Sequence, residues 1–348
     1  MTQYLDRLAR ELRAVVSQRP APAELGEAVS RLIMPWIPHD GSCLQGMHPM
    51  TAIGSFAFAH RLNGEYNRVR THEIYLGNAP GRPDNLARDR VPVHLVDAGQ
   101  TRRLPDGTRK LLVRHGMSGD LRVVLRSAHG VWGMLCLQRE GRGRSFGAAD
   151  VERVTHLIPP LAAMLRDYVM TGPLIPAGPA LSPGVIVVRG DNTVRSVTTE
   201  AAAWMRELYP GGRPPEAAAA EYAYSVSLAA RARLRDPQAL QPLTCTPSAY
   251  CGRWVTGHAQ PLDEQATGEV AVIVQAAGGP LLLATLAAWY GITARERQVV
   301  EHLCAGEAPK RIARRLDVSV NTVNGHVREV YRKTGLAGRD ELAAVIAG

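Results

Sequence analysis

Residues 286–348 constrain this chain more than any other stretch, because their capping residues and apolar repeats leave room for only one kind of local fold. Thr293 is placed to cap a helix, and Glu296, three residues on, completes a capping box. Val299, Val300 and Leu303 then give that helix one apolar face, and Gly306 ends it. A second helix is expected over residues 309–316. Pro309 opens it at a position whose amide has no helical partner anyway, and Ile312 with Leu316 forms an i, i+4 pair. Ser319 caps a third helix. Its inner face is Val323, Val327, Val330 and Tyr331; its outer face is Asn321, Asn324, Gly325, Arg328 and Arg332. Leu336 and Gly338 make a turn, and Leu342, Val345 and Ile346 dock a fourth helix.

The outer face is charged in one sense. Between residues 308 and 339 the basic residues are Lys310, Arg311, Arg314, Arg315, Arg328, Arg332, Lys333 and Arg339. Only Asp317 and Glu329 oppose them, a local balance of +6. A positive helix pair with Asn and Arg projecting from its second member suits a nucleic-acid duplex. The charge neutralises phosphates, and amide or guanidinium groups can read base edges in the major groove. The alternative is a helical bundle with a solvated basic face, or one that docks protein rather than DNA.

This segment closely resembles the LuxR-type, or NarL/FixJ, helix-turn-helix of bacterial transcription regulators. The matching residues run in order from Thr293, Arg295, Glu296 and Gly306 through Ile312, Ala313, Leu316 and Ser319. They continue with Thr322, Val323, His326, Lys333, Gly335, Arg339, Glu341 and Leu342. The resemblance implies a recognition helix that enters the major groove. Asn324, Gly325 and Arg328 would face bases, and Thr322 and Lys333 would meet phosphates. Lys310, Arg311, Ser319, Asn321 and Arg332 complete the expected contact set. Three departures stand out. Asn324 replaces a basic residue usual in the family; Gly325 has no side chain; and Ala308 with Arg311 replaces the capping Ser and acidic third residue of the second helix. An Ala cap costs about 1 kcal/mol, and Arg311 sits badly with the helix dipole but would suit a phosphate.

A chain of 348 residues fits two or three domains. Its formal charge of +9 is compatible with nucleic acid or an anionic membrane, although arginine is scattered throughout. The five cysteines form no CxxC pair and read as buried free thiols of a reducing compartment. Cys245 and Cys251 are close enough in sequence to approach across a turn. No signal peptide or apolar run of membrane length is present, so a soluble, cytoplasmic protein with no membrane contact is expected.

Taken in order, residues 1–19 are expected to form an amphipathic helix that pairs either with a partner subunit or with its own domain. A second helix follows over 23–33, then a strand around Phe56 and Phe58 that ends in an Asn63-Gly64 turn. Residues 79–97 read as a long loop. Strands are expected over 110–113 and 121–125, a turn over 128–130, and a buried strand over 131–140. One long helix follows, opened at Ser145 or Asp150 and bent at Pro159-Pro160. The run from residue 130 to 166 resembles the end of a GAF-type sensor domain, which implies a GAF-like unit over 20–170 that binds a small molecule or dimerises. Residues 171–184 form a Pro-rich linker. The β-β-α-α-β-β-β order over 185–276 resembles a PAS-like domain. A coupling helix over 281–291 then leads into the helix-turn-helix at 292–348. The fold class is therefore multi-domain α+β: two antiparallel-sheet domains followed by an all-α four-helix module.

The sequence has no P-loop, nucleophile elbow, HExxH or paired Cys/His spacing. The histidines are dispersed, Asp97, Asp106 and Asp120 look isolated, and the basic run 231–235 reads as a solvated helix face. No enzyme, metal or cofactor is expected. The sequence reads as a dimeric regulator that binds double-stranded DNA, gated at its N-terminal domains by a small-molecule effector or partner. Such a role would bring with it a contact to RNA polymerase.

Overall fold

The computed structural model describes residues 2–76, 81–97, 106–127, 130–141, 143–179, 181–263 and 268–347. The first part of the chain contains α1 (Thr2–Ser17), α2 (Pro22–Ile33), β1 (Gly41–Met47), β2 (Gly54–His60), α3 (Gly64–Leu76) and α4 (Pro83–Leu86). It continues with β3 (Val93–Asp97), α5 (Asp106–Arg114), β4 (Met117–Ser127), β5 (Gly130–Glu140), α6 (Ala148–Thr155) and α7 (Ile158–Met170). The strands form one antiparallel sheet in the order β2-β1-β5-β4-β3. One face, with Leu44, Phe56, Phe58, Leu121, Val123, Leu135 and Leu137, is covered by α1, α2 and α7. Because α1 buries Leu8, Leu12 and Val16 against α7 and α2, it docks on its own domain rather than waiting for a partner subunit.

Several expectations change here, each for a local reason. Residues 110–113 are helical, not a strand: a four-residue apolar run cannot by itself separate the two periods. Leu111 and Leu112 pack beside Tyr66 while Val113 stays 75% exposed. The loop expected over 79–97 ends in strand β3, whose short apolar alternation is hidden among Pro, Arg and Asp. Asn63-Gly64 is a helix start rather than a hairpin turn. Asn63 Oδ1 accepts the amide of Tyr66 at 3.1 Å, the capping role that Asn fills as readily as a turn. The single long helix is two, with Pro159 and Pro160 in the first turn of α7, where proline is tolerated. It opens at Gly147, whose amide donates to Asp150 Oδ2 at 3.1 Å. Strand β1 was not legible at all. Its GSCLQGM composition is poor in strand formers, yet it lies between β2 and β5, and a Cβ on Gly46 would come within 2.0 Å of the Phe56 ring. Residues 128 and 129 of the expected turn lie outside the described residues.

The opposite face of the sheet holds a buried polar network under α3. Asp120 is fully buried, with basic and phenolic partners rather than an acidic cluster. Its Oδ2 lies 3.0 Å from Arg122 Nε and 3.5 Å from Arg70 Nε, and it accepts the Tyr66 hydroxyl at 3.1 Å. Arg70 also pairs with Glu73 at 2.5 Å and donates to His94 Nε2 at 3.1 Å. Burial, with Arg70 beside it, pulls His94 down to about 4, so its ring is neutral and can accept. Burial alone would raise the Asp120 carboxyl, but Arg122 and Arg70 outweigh it and hold it below its usual value.

The second part of the chain contains β6 (Gly184–Val188), β7 (Val194–Val197), α8 (Thr199–Leu208), α9 (Pro215–Arg235), β8 (Leu243–Thr246), α10 (Ser248–Cys251), β9 (Val255–Pro261) and β10 (Val270–Ala276). Its antiparallel sheet runs β7-β6-β10-β9-β8, the same order relative to the chain as the first. Helices α8 and α9 cover one face, with Trp204, Met205 and Val226 packed on Ile186, Val255 and Val272. Arg231 corrects the reading of 231–235 as a solvated face. It is 3% exposed, and its guanidinium donates to the Arg189 carbonyl at 2.6 Å and to Asn192 Oδ1. Cys245 and Cys251 are free thiols, both pushed up to about 12 by burial.

The two sheets meet at an edge. Thr244 Oγ1 on β8 donates to the Gly54 carbonyl at 3.0 Å, and Thr246 Oγ1 donates to the Ser55 carbonyl at 2.9 Å. Beyond them lie α11 (Gly279–Tyr290), α12 (Ala294–Cys304), α13 (Pro309–Leu316), α14 (Val320–Thr334) and α15 (Arg339–Ala347). Helix α11 is apolar on nearly every side and is correspondingly buried. It packs on α7, α12 and α15, and Trp289 lies 5.1 Å from Trp132. Its buried Thr285 donates to the Leu281 carbonyl at 2.9 Å and meets His48 Nε2 at 3.1 Å. No helix among the described residues is long and apolar enough to cross a membrane.

Replacing Asp120 by Asn leaves the Arg122 guanidinium buried without a counter-charge and Arg70 with Glu73 alone. It is expected to lower the free energy of unfolding by about 3–5 kcal/mol, measured by denaturant titration of the full chain. Because Asp120 titrates lower in the folded state than in the unfolded one, its contribution is complete above the unfolded pKa of ~3.9 and is lost as pH falls through the folded value. The wild type should therefore lose more stability than Asp120→Asn on acidification; equal losses would place the acid sensitivity elsewhere.

Candidate nucleic-acid interface

The interface is built outward from its caps. Thr293 Oγ1 accepts the Glu296 amide at 3.2 Å, and Glu296 Oε2 accepts the Thr293 amide at 2.7 Å, closing the box that starts α12. Helix α13 begins at Ala308, which makes no side-chain cap, as its sequence implies. Asp317, at φ +53°, turns the chain in the left-handed region that Asp tolerates better than most residues. Ser319 Oγ then accepts the Thr322 amide at 3.0 Å and starts α14. Val323 and Val330 lie on the inner side of α14, and Val299, Leu303, Ile312 and Ala313 close the helix-turn-helix core around Val323.

The outer side carries Asn321, Thr322, Asn324, Gly325, Arg328 and Arg332, all exposed. Their polar groups differ in what they already hold. Asn321, Asn324 and Arg328 have no intramolecular side-chain partner among the described residues, and neither do the exposed Lys310, Arg311 and Arg314 on α13. Ser319 and Thr322 hydroxyls share a 2.8 Å bond within the cap. Arg332 is held by Glu329 at 2.8 Å, and Arg315 lies 3.5 Å from Glu307.

Lys333 is engaged inward. Its Nζ donates to Glu296 Oε2 at 2.6 Å and to the Gly291 carbonyl at 2.8 Å, and its side chain is 17% exposed. Burial would raise the Glu296 carboxyl, but the Lys333 ammonium and the Thr293 amide outweigh it and keep the carboxyl low. In this structure Lys333 thus locks the end of α14 to the cap of α12 rather than projecting at a phosphate. Arg314, absent from the expected contact set, belongs with the free cations; its place in the basic run was the signal that could have included it. Position 325 has open space where a Cβ would lie, with nothing within 4 Å.

Caps, a three-residue turn and an exposed helix with unpaired amide and guanidinium groups define a helix-turn-helix of the DNA-binding class. Residues 291–346 match the family of bacterial regulatory proteins, luxR family, and form a LuxR-type domain. Over 53 residues the chain is 42% identical to the monoamine regulon transcriptional regulator of Klebsiella aerogenes, covering 15% of this chain and 23% of that protein. The chain spans about a quarter of the length of the curated relatives it matches. Among solved structures, the phycocyanobilin-bound GAF domain of a cyanobacterial phytochrome is similar at 13% identity and a TM-score of 0.35, covering 47% of this chain and 96% of that one. The GAF domain/HD domain protein of Geobacter sulfurreducens is similar at 18% identity and a TM-score of 0.29, covering 42% and 93% respectively.

A mid-helix Gly costs about 0.5–1 kcal/mol relative to Ala, and nothing near Gly325 would clash with a methyl group. Gly325→Ala should therefore raise the stability of the DNA-free chain by about that amount in denaturant titration. A loss of stability would show that position 325 is more crowded than its surroundings indicate.

Proposed function

We propose that this chain is a transcription regulator that binds double-stranded DNA sequence-specifically, as a homodimer, with α14 in the major groove. The observation that carries the reading is the exposed face of α14, where Asn321, Asn324 and Arg328 present unpaired polar groups beside the free cations of α13. Arg328 is suited to a guanine edge and Asn324 to an adenine edge, while Lys310, Arg311 and Arg314 lie where phosphates would pass. Ser319 and Thr322 cap α14 and can offer a hydroxyl to the backbone. A two-fold dimer would match two half-sites.

The division of the chain follows the same reading: a GAF-like unit over 20–170 preceded by its docked helix over 1–19, a linker over 171–184, a PAS-like unit over 185–276, a coupler over 281–291 and the DNA-binding module over 292–348. The two sheet units gate the module in response to an effector or partner. The role is non-enzymatic and cytoplasmic, and it includes a contact to RNA polymerase.

Selection of bound fragments from genomic DNA, followed by titration of the full chain over a range of salt, tests this. Affinity should fall linearly with salt on logarithmic axes. Lys310→Ala and Arg311→Ala should each reduce that slope by about 1 without changing sequence preference. Arg328→Ala should relax one base position by about 1–3 kcal/mol. Failure to recover any fragment, or unchanged selectivity in Arg328→Ala, would defeat the proposal.

A further inference from the structure

Between the first sheet unit and the helix-turn-helix lies a cleft of about 440 Å³ that the DNA-binding reading does not use. Its floor is α11, where Ala284, Ala287 and Ala288 are small at the positions that face it. One wall is Trp132 of β5 with Arg166 of α7; the other is Ile292 with Ala294 and Arg297 of the first turns of α12. The remaining side chains of α11 are large. Leu282, Leu283, Leu286 and Trp289 fill the surrounding core, so the space is confined to the alanine side.

The guanidinium groups that line this cleft are incompletely satisfied. The Arg166 guanidinium lies over the Trp132 ring, 5.2 Å from its centroid, and makes no ion pair among the described residues. Its Nε is buried and has no hydrogen-bond partner. One of its terminal nitrogens would lie 3.6 Å from a Cβ at Gly291, so the guanidinium reaches from the first unit to the end of α11. Arg297 Nε makes no hydrogen bond and faces Glu301 Oε1 at 3.4 Å, one helical turn away, in a side chain that is 43% exposed. Buried guanidinium N–H groups without acceptors are rare and costly. Arg166 has such a group, and Arg297, from another part of the chain, joins it in lining one cavity whose other walls are mostly apolar, with Thr293 and Gly291 among them.

We propose that this cleft binds a small organic anion: a carboxylate on a compact apolar body. The carboxylate oxygens accept from Arg166 and Arg297, the geometry guanidiniums satisfy best. The apolar body fills the space bounded by Trp132, Ala284, Ala288 and Ile292. Inorganic phosphate would meet the charges and leave the apolar walls bare; a neutral analogue would fill the walls and leave the guanidiniums unpaired. Because Arg166 belongs to the first unit and Arg297 to the helix-turn-helix, a bound carboxylate ties the two together. The site stands on its own geometry; its effect on DNA binding rests on the function proposed above.

Calorimetric titration of the full chain tests the site without DNA, using phenylacetate, 1-naphthylacetate and octanoate as probes, with their primary amides and inorganic phosphate alongside. At least one carboxylate should bind about tenfold or more tighter than its amide and than phosphate, and Arg166→Gln and Arg297→Gln should each weaken it about tenfold. Ala288→Leu fills the cavity without altering charge and should abolish binding while leaving the thermal unfolding midpoint of the free chain in place, which separates loss of the site from loss of the fold. No binding by any carboxylate, equal binding of acid and amide, or full affinity in Ala288→Leu overturns the proposal. A selected DNA fragment then supplies the second arm. A bound carboxylate that shifts DNA affinity supports the link between the cleft and the module; one that binds by the expected pattern and leaves DNA affinity unchanged overturns that link alone.

Discussion

The arrangement of the chain depends on the burial of α11. A helix that is apolar on nearly every side has no stable place at a surface, so most of it must find partners. The first sheet unit supplies α7 and Trp132; the helix-turn-helix supplies α12 and α15. The result is one apolar core running from Leu8 through Leu286 and Trp289 to Ile346. The one polar residue buried on α11, Thr285, fixes its register. It meets His48 of the first unit, whose neighbour Thr51 donates to the Leu243 carbonyl at 2.8 Å in the second. A short polar chain thus fastens three parts of the molecule at the point where the apolar contacts alone would permit sliding.

What could be read from the sequence follows from how local each signal is. The helix-turn-helix was legible because its caps, its inner valines and its exposed face are all written within one turn of the residues they affect. The second sheet unit was legible for the same reason, since its strands carry β-branched runs bounded by turn residues. The first unit was harder. Strand β1 draws its stability from neighbours on both sides rather than from its own composition, and α5 is too short for periodicity to decide. The burial of Asp120 and of Arg231 is not visible in the sequence, because a charged residue reveals its burial only through partners far along the chain, such as Arg70 and Tyr66 for one and the Arg189 carbonyl for the other. Lys333 is the same case within the module: its sequence position suggests a phosphate, and its partner Glu296 lies 37 residues earlier.

Charge pairing also narrows which cations the module can offer. Eight basic residues lie between positions 308 and 339, but those held by Glu296, Glu307 and Glu329 are partly neutralised at home. Arg339 donates to the Leu303 carbonyl at 3.0 Å, and the four without a partner among the described residues, Lys310, Arg311, Arg314 and Arg328, lie on the two helices that flank the turn. A long-range field comes from all eight, whereas short-range contact favours the four whose hydrogen-bonding capacity is free. The loss of a capping box at Ala308 belongs to the same balance. It weakens the start of α13 by about 1 kcal/mol, and it leaves Lys310 and Arg311 without an acidic neighbour in that turn.

The common core limits how the N-terminal units could act on the module. Pulling α12 and α15 off α11 would expose Leu286, Tyr290, Leu342, Val345 and Ile346, all buried in the shared core. At roughly 1.5–3 kcal/mol for each large apolar side chain, such a separation costs far more than the ~1–3 kcal/mol over which coupling between sites typically operates. Detachment that left those side chains in water would therefore exceed that range. A small displacement of α12 against α7 avoids that cost, because between them lies the cleft, with Arg166 on one wall, Arg297 on the other and the alanine side of α11 as its floor. Motion there would change the distance between Arg166, on α7, and Arg297, on α12. An effector that prefers one such distance biases the module by the difference in its affinity for the two arrangements, and by no more than that.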